Sequence, residues 1–212
     1  MKISKGLTED GIVVGNTYDK YGSSDPIVRW LMQGFKSAMT ELVDKVNPVS
    51  IHEVGCGEGY WTLKWLEQGI DTRGSDFSSS VIELAQANAS NRKLSVETFR
   101  VCSIYDLNPQ EDVAQLVVCC EVLEHLEYPK AALQSLQAIA NPYFIISVPH
   151  EPLWSVMNMA RGKYWRHWGN TPGHIQRWSY RHFIALVSLH FEVIEIRSPM
   201  PWTMLLCRRR EA

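Results

Sequence analysis

Residues 51–62 read IHEVGCGEGYWT. An apolar, strand-like run at Val49–Val54 leads into Gly55, Gly57 and Gly59, and an apolar-patterned helix is expected over Tyr60–Gln68. Strand, glycine-rich turn and helix start together make the arrangement in which backbone approaches a nucleotide-like ligand. A Cβ would block that approach, and tight turns often need the positive φ that glycine adopts without steric cost. A dinucleotide fingerprint puts its third glycine at position 60, but Tyr60 stands there and the glycine comes one residue earlier. That spacing argues against a nicotinamide oxidoreductase.

Outward from this turn, strand and helix signals alternate. On the N-terminal side, residues 26–46 space Ile27, Trp30, Leu31, Phe35, Met39, Leu42, Val43 and Val46 for one helix face. Asp25-Pro26 supplies an N-cap and a first-turn proline, and Asn47-Pro48 ends the helix. On the C-terminal side, strands are expected at Asp71–Asp76, Val96–Val101, Ala114–Cys120, Tyr143–Val148, Phe191–Arg197 and Met204–Cys207. Helices are expected at Ser79–Ala89, Lys130–Ile139 and Arg181–Leu189. Ala114–Cys120 (AQLVVCC) does not alternate, as expected of a strand buried on both faces. The alternation implies an α/β fold, a doubly wound parallel sheet with helices on both faces. Asp76 ends the second strand about twenty residues after the glycines, where a carboxylate can accept ribose hydroxyls, with Phe77 beside it. As a purely structural alternative, Asp76 would cap the helix that follows.

The 212 residues fit one domain, 1–212, able to bury a real core. A net charge of −2 gives no overall drive toward nucleic acid, and the arginines at 208–210 read as a solvated tail. No apolar run approaches the ~20 residues that span a bilayer, and the N-terminal residues lack a secretion signal's apolar core. Five cysteines without a C-x-x-C pair read as reduced thiols, which points to the cytoplasm. Cys119 and Cys120 should face opposite sides of one strand.

One segment breaks the rhythm. Residues 150–178 hold Trp154, Trp165, Trp168 and Trp178 between a strand and a helix, where a few residues normally suffice. An aromatic insertion at a strand's C-terminal end is expected to form a lid over substrate. Residues 1–25 are polar and glycine-bearing, loose or folded over the ligand, so that 1–46 forms an N-terminal cover and helix.

The E-x-G-x-G-x-G pattern at Glu53–Gly59 resembles motif I of the class I S-adenosylmethionine-dependent methyltransferases. Cys120–Pro129 (CEVLEHLEYP) resembles the E-x-x-E-H-x-x-x-P stretch of small-molecule members, the ubiquinone-biosynthesis O-methyltransferases among them. His174-Ile-Gln-Arg-Trp178-Ser179 and the FEV at 191–193 resemble their tail, so the likeness runs from Tyr18 to Cys207. The resemblance implies a Rossmann-like, seven-stranded, mostly parallel sheet with its last strand antiparallel. It also implies S-adenosylmethionine as cofactor, a cationic ligand that suits an acid at Glu53. Gly55, Gly57, Gly59 and Asp76 would line it, with Glu121 near its methionine moiety and Tyr21 in an N-terminal cover. Ser103 stands where an acid usually meets the adenine amine, and Ile104 would pack on the ring or simply fill core.

Glu121, Glu124 and His125 fall at i, i+3 and i+4, so one helical turn would aim all three one way. Two carboxylates and an imidazole suit Mg or another divalent cation. The stretch is similar to the metal site of the small-RNA 3′-terminal 2′-O-methyltransferases, which implies His174 as a further ligand. Without metal, His125, His150 or His174 could serve as general base. The expected activity is methyl transfer to a small-molecule acceptor, at a hydroxyl oxygen, with no membrane insertion. The alternatives are an RNA 3′-end 2′-O-methyltransferase using a divalent metal, which the charge disfavours, and a non-catalytic S-adenosylmethionine-binding module. Asn141-Pro142-Tyr143-Phe144 lacks the second proline of an amino-methylating D/N-P-P-Y/F motif and reads as a turn. Oligomeric state and the identity of the acceptor do not follow from the residues.

Overall fold

The structure, a computed structural model, describes residues 1–9 and 12–210. Seven strands form one sheet: β1 (Ser50–Val54), β2 (Asp71–Asp76), β3 (Phe99–Val101), β4 (Ala114–Cys120), β5 (Ala140–Pro149), β6 (Phe191–Arg197) and β7 (Trp202–Arg209). Their order is β3-β2-β1-β4-β5-β7-β6, and every pairing is parallel except those of β7, which runs antiparallel between β5 and β6. The order reverses between β1 and β4, and α/β sheets bind ligands outside the carboxyl ends of strands at such a switch. The glycine turn follows β1 and Glu121 follows β4, so both sequence landmarks arrive there.

Among the described residues, six α-helices accompany the sheet: α1 (Pro26–Val46), α2 (Tyr60–Glu67), α3 (Ser79–Asn91), α4 (Pro129–Ile139), α5 (Leu153–Ala160) and α6 (Tyr180–Val187). Strand alternation explains the two main cores. Leu116, Val118 and Cys120 of β4 pack with α1 and with Trp61 and Trp65 of α2, whereas Val117 and Cys119 pack with α4 and α6. The adjacent cysteines thus face opposite sides, and all five are free thiols. Among the described residues, no helix is long and apolar enough to cross a membrane.

α1 forms where its caps dictate. Asp25 accepts from the backbone N–H groups of Ile27 (2.8 Å) and Val28 (3.1 Å), and Asn47 ends the helix in the left-handed region at φ 47°. Its buried stripe includes Val28, Met32 and Ala38, while Ile27 and Trp30 are more than 60% exposed, which shifts the expected face. Three other boundaries move. β3 begins at Phe99 because a turn, closed by the Phe99 N–H on the Val96 carbonyl, uses the residues before it. Asn141-Pro142 lies inside β5, where an irregularity lets two steps along β4 match three along β5. Arg208 and Arg209 are exposed, as expected, but belong to β7 and not to a tail: Arg208 lies over the Tyr143 ring and Arg209 donates to the Ala138 carbonyl. A short hairpin, Thr8–Glu9 with Ile12–Val13, was not visible in the sequence pattern.

Candidate functional site

A cleft of about 1100 Å³ opens at the switch point. The three glycines of the turn have φ of 76°, 54° and 83°, a region that costs other residues about 1–2 kcal/mol each. Their surroundings separate their roles. A Cβ on Gly55 would meet Val122 at 2.2 Å, and one on Gly59 would meet Phe99 at 2.6 Å. At Gly57 a Cβ would meet nothing within 4 Å, and the residue lines the cleft. Two glycines therefore let the turn pack, and Gly57 presents bare backbone to a ligand.

Asp76 accepts from the backbone N–H groups of Gly57 and Ser78, both at 3.1 Å, and lines the cleft. Ser78 is the N-cap of α3, and Asp76 holds the N–H of that cap residue, so the structural alternative for Asp76 is met in part and coexists with its place in the cleft. Burial raises the Asp76 carboxyl above its ordinary range. Phe77, Ser103 and Ile104 also line the cleft. Phe77 is half exposed, the Ser103 hydroxyl accepts from the Tyr105 N–H, and Ile104 is also part of the core. Tyr21 stacks on Tyr60 with centroids 3.6 Å apart and accepts at its hydroxyl from Trp61 Nε1 at 3.1 Å. Glu53 is buried and accepts from both the N–H and the hydroxyl of Thr62, tying β1 to the first turn of α2. Burial pushes its carboxyl up to about 8, against the pull of those two bonds.

The E-x-x-E-H stretch does not form the expected full helical turn. Only Leu123–His125 coil, as a 3₁₀ turn, and Glu121 sits in the left-handed region at φ 60°. Glu121 Oε2 accepts from Trp202 Nε1 at 2.6 Å and Oε1 lies 3.4 Å from the Ser147 hydroxyl, so its carboxylate is engaged apart from the other two residues. Glu124, His125 and His174 come together, with potential ligand atoms all within 4.8 Å. The Glu124 backbone carbonyl draws His174 in by accepting from the Ile175 and Gln176 N–H groups at 2.9 and 3.0 Å.

The Glu124 side chain is 2% exposed, and both its oxygens lack a partner among the described residues. Burial, reinforced by Glu121, holds its carboxyl well above the usual carboxylate range. His125 Nδ1 lies 3.0 Å from the Gly173 carbonyl, which only accepts, so Nδ1 carries the proton and Nε2 keeps its lone pair. Burial lowers the pKa of His125, and burial together with His125 takes His174 down to about 3. Both rings are neutral near pH 7 and able to accept a proton or bind a metal. His150, by contrast, lies outside the residues lining the cleft, with its ring 6.1 Å from that of Tyr180. Its expected catalytic place is not supported by this position.

The 150–178 segment turns fewer of its tryptophans to the cleft than its sequence suggests. Trp154 lines the cleft and donates to Thr171 Oγ1 at 2.9 Å. Trp165 and Trp168 face solvent, and Trp178 packs on the core beside Phe183.

A methyltransferase-domain family model matches residues 8–190. The chain belongs to the class I S-adenosylmethionine-dependent methyltransferases. Among curated relatives of this methyltransferase, the ubiquinone biosynthesis O-methyltransferase of Actinobacillus pleuropneumoniae is 27% identical over 95 residues, 42% of this chain and 40% of that protein. That of Coxiella burnetii is 27% identical over 90 residues, 42% of this chain and 38% of that protein. The chain thus spans about two fifths of the length of the curated relatives it matches. Its fold is similar to that of magnesium protoporphyrin IX methyltransferase from Synechocystis PCC 6803 with bound SAH, at TM-score 0.67, 19% identity, and 89% and 90% coverage of the two chains. It is also similar to the methyltransferase domain of bacterial-CtHen1-CN, at TM-score 0.62, 20% identity, and 84% and 99% coverage.

Three residues of the methyltransferase cleft escaped the sequence reading. Glu58, 1% exposed, holds the N-terminal strap by accepting from the N–H groups of Ser4 (3.0 Å) and Asn16 (2.7 Å) and from the Asn16 amide. Its place between two glycines was the available signal, but its partners lie about forty residues away or more. Lys20 lines the cleft, where its ammonium lowers Glu53, Glu121 and Glu124 against the dominant effect of burial. Trp202, which fixes Glu121, comes from the far end of the chain and carried no motif.

Proposed function

We propose that this protein transfers the methyl group of S-adenosylmethionine to a hydroxyl oxygen of a small-molecule acceptor, with the acceptor end of the cleft at Glu124, His125 and His174. The observation that carries this reading is the buried Glu124 carboxyl group, whose two oxygens have no partner among the described residues, beside two neutral imidazoles. A buried carboxyl group is costly unless something pairs with it. One carboxylate and two imidazoles form a donor set that fits a borderline divalent cation, so Glu124, His125 and His174 would hold it. When bound, such a cation lowers the pKa of a nearby hydroxyl. Glu121 is committed to Trp202 and Ser147 and is left out of the set. In the donor half, Gly57 offers backbone without a side chain, Asp76 takes the ribose hydroxyls, and Glu53 faces the positive charge of the methyl donor. Phe77, Ser103 and Ile104 flank the base, and Tyr21 covers the cleft from the N-terminal side. Without a cation, His125 Nε2 or His174 would instead receive the hydroxyl proton, since each ring is neutral at pH 7. In-line placement of a deprotonatable hydroxyl against a sulfonium methyl supplies most of the remaining rate.

The same cluster also suits the 2′-hydroxyl of an RNA 3′ end. The net charge of −2 weighs against a polyanionic partner.

The test is turnover to S-adenosylhomocysteine with a panel of hydroxylated metabolites and a short RNA, with and without EDTA. EDTA should abolish turnover, and Mn²⁺ or Zn²⁺ should restore it better than Mg²⁺; indifference to EDTA removes the metal and leaves His125 or His174 as base. His174→Ala should lower kcat at least tenfold while cofactor affinity changes less than threefold. The reverse pattern would move His174 out of the acceptor end. Binding of S-adenosylmethionine without turnover on any acceptor would favour a non-catalytic module.

A further inference from the structure

The charges lining the cleft are divided by position. Glu53 lies in β1 and Asp76 ends β2, while Glu58 follows β1 and Glu121, Glu124 and Glu127 follow β4. Lys20 serves those acids, since its field reaches Glu53, Glu121 and Glu124. Two cations remain, Arg161 and Lys163, and both stand on the lid just past α5. Among the described residues neither side chain makes an ion pair, although other arginines do so, Arg177 with Glu151 for instance.

The backbone that presents them is fixed. The Lys163 N–H bonds the Asn158 carbonyl at 2.9 Å and the Gly162 N–H bonds the Met159 carbonyl at 2.9 Å, with Gly162 at φ 73°. These two bonds around a left-handed glycine make a Schellman motif, which sets Arg161 and Lys163 on either side of the glycine. Below it, the buried Asn158 side chain donates to the Gly169 carbonyl (2.9 Å) and to Thr171 Oγ1 (3.2 Å). Gly169 lies so close to α5 that a Cβ there would fall 2.0 Å from the Ser155 carbonyl oxygen. The loop is therefore braced against the helix before any acceptor arrives, which reduces the ordering cost of binding. Lys163 Nζ lies 5.8 Å from the centre of the Tyr18 ring, so lid and N-terminal strap meet across the cleft mouth.

We propose that the methyl acceptor is a small molecule carrying an anionic group, a carboxylate or a phosphate monoester, received by Arg161 and Lys163 while its hydroxyl reaches Glu124, His125 and His174. This rests on the methyl-transfer reading of the same cleft. The chain as a whole carries net negative charge, so an anion gains nothing from its overall field and must be met locally.

The experiment uses the full chain loaded with S-adenosylhomocysteine and titrated with 2-naphthoate, 1-naphthyl phosphate and uncharged 2-naphthol. At least one anion should bind tenfold or more tightly than 2-naphthol, and the stronger of the two distinguishes carboxylate from phosphate. In Arg161→Gln/Lys163→Gln that advantage should fall below twofold with S-adenosylhomocysteine affinity unchanged. The variant Arg181→Gln/Arg210→Gln, which removes the same charge outside the cleft, should keep it. No anion advantage, or one that survives in the lid variant, overturns the proposal. A preference for a short RNA over both naphthyl anions overturns it in favour of a polyanionic acceptor. Failure of the unmodified chain to bind S-adenosylhomocysteine would overturn the methyl-transfer reading along with it.

Discussion

At the scale of single residues, the glycine turn shows how similar backbone angles serve different ends. Gly57 and Gly59 both have positive φ, so alanine at either position incurs the same backbone cost of about 1–2 kcal/mol. Gly59→Ala adds a collision with Phe99, whereas Gly57→Ala projects a methyl into the open cleft. Gly59→Ala should therefore unfold at lower denaturant, by a further ~1–3 kcal/mol of overpacking. Gly57→Ala should keep more of its stability and lose affinity for S-adenosylhomocysteine. Urea melts and titrations of both variants check this, and equal stability losses would contradict the assignment. The spacing of the three glycines was legible in the chain. Their separate duties were not, because these depend on Val122 and Phe99, about forty or more residues downstream.

At the scale of elements, the site depends on bonds that join segments far apart in sequence. Glu58 secures the strap that carries Tyr18, Lys20 and Tyr21 into the cleft, with its Oε1 serving two backbone N–H groups. In Glu58→Gln the new amide group would face the Asn16 amide, donor against donor. Hydrogen exchange at the Ser4 and Asn16 amides should speed up at least tenfold while the sheet amides keep their protection. Unchanged exchange at those two amides would show that the strap is held by other contacts. The elements themselves were largely readable, because period-2 and helical patterning with caps such as Asp25-Pro26 are local signals. Local patterning failed where distant contacts decide. Ile27 and Trp30 look like core on α1 but are exposed, the helix at Glu121–His125 shortens to a 3₁₀ turn, and three of the four lid tryptophans turn away from the cleft. The metal-like grouping was foreseen in part: Glu124, His125 and His174 meet, while Trp202 takes Glu121 out of the set.

At the scale of the whole molecule, stability should depend on pH through a histidine remote from the cleft. His52 is fully buried on β1, with Nδ1 3.0 Å from the Asp112 carbonyl and Nε2 2.9 Å from the Ser75 hydroxyl. Burial takes its pKa down to about 4 from 6.5, so the folded ring stays neutral where the unfolded ring gains a proton. Its contribution is fully present above pH 6.5 and is lost as the pH falls toward 4, a change of a few kcal/mol. Glu53, raised to about 8, acts in the opposite sense between 4.5 and 8, because the unfolded carboxyl ionises first. Comparison of the native chain with His52→Gln removes that shared background. Urea unfolding at pH 7.5, 6.0 and 5.0 should show the native chain losing more stability with acid than the variant does. Parallel losses would exclude His52 as the source.

The central claim is that a sulfonium nucleoside lies against bare backbone at Gly57 with its ribose held by Asp76. Calorimetric titration of S-adenosylmethionine into the native chain and Asp76→Ala tests this most directly. The account predicts one saturable site per native chain and at least a hundredfold weaker binding in the variant, with its thermal unfolding still cooperative. Equal affinity in the two proteins, or no binding to the native chain, would contradict it.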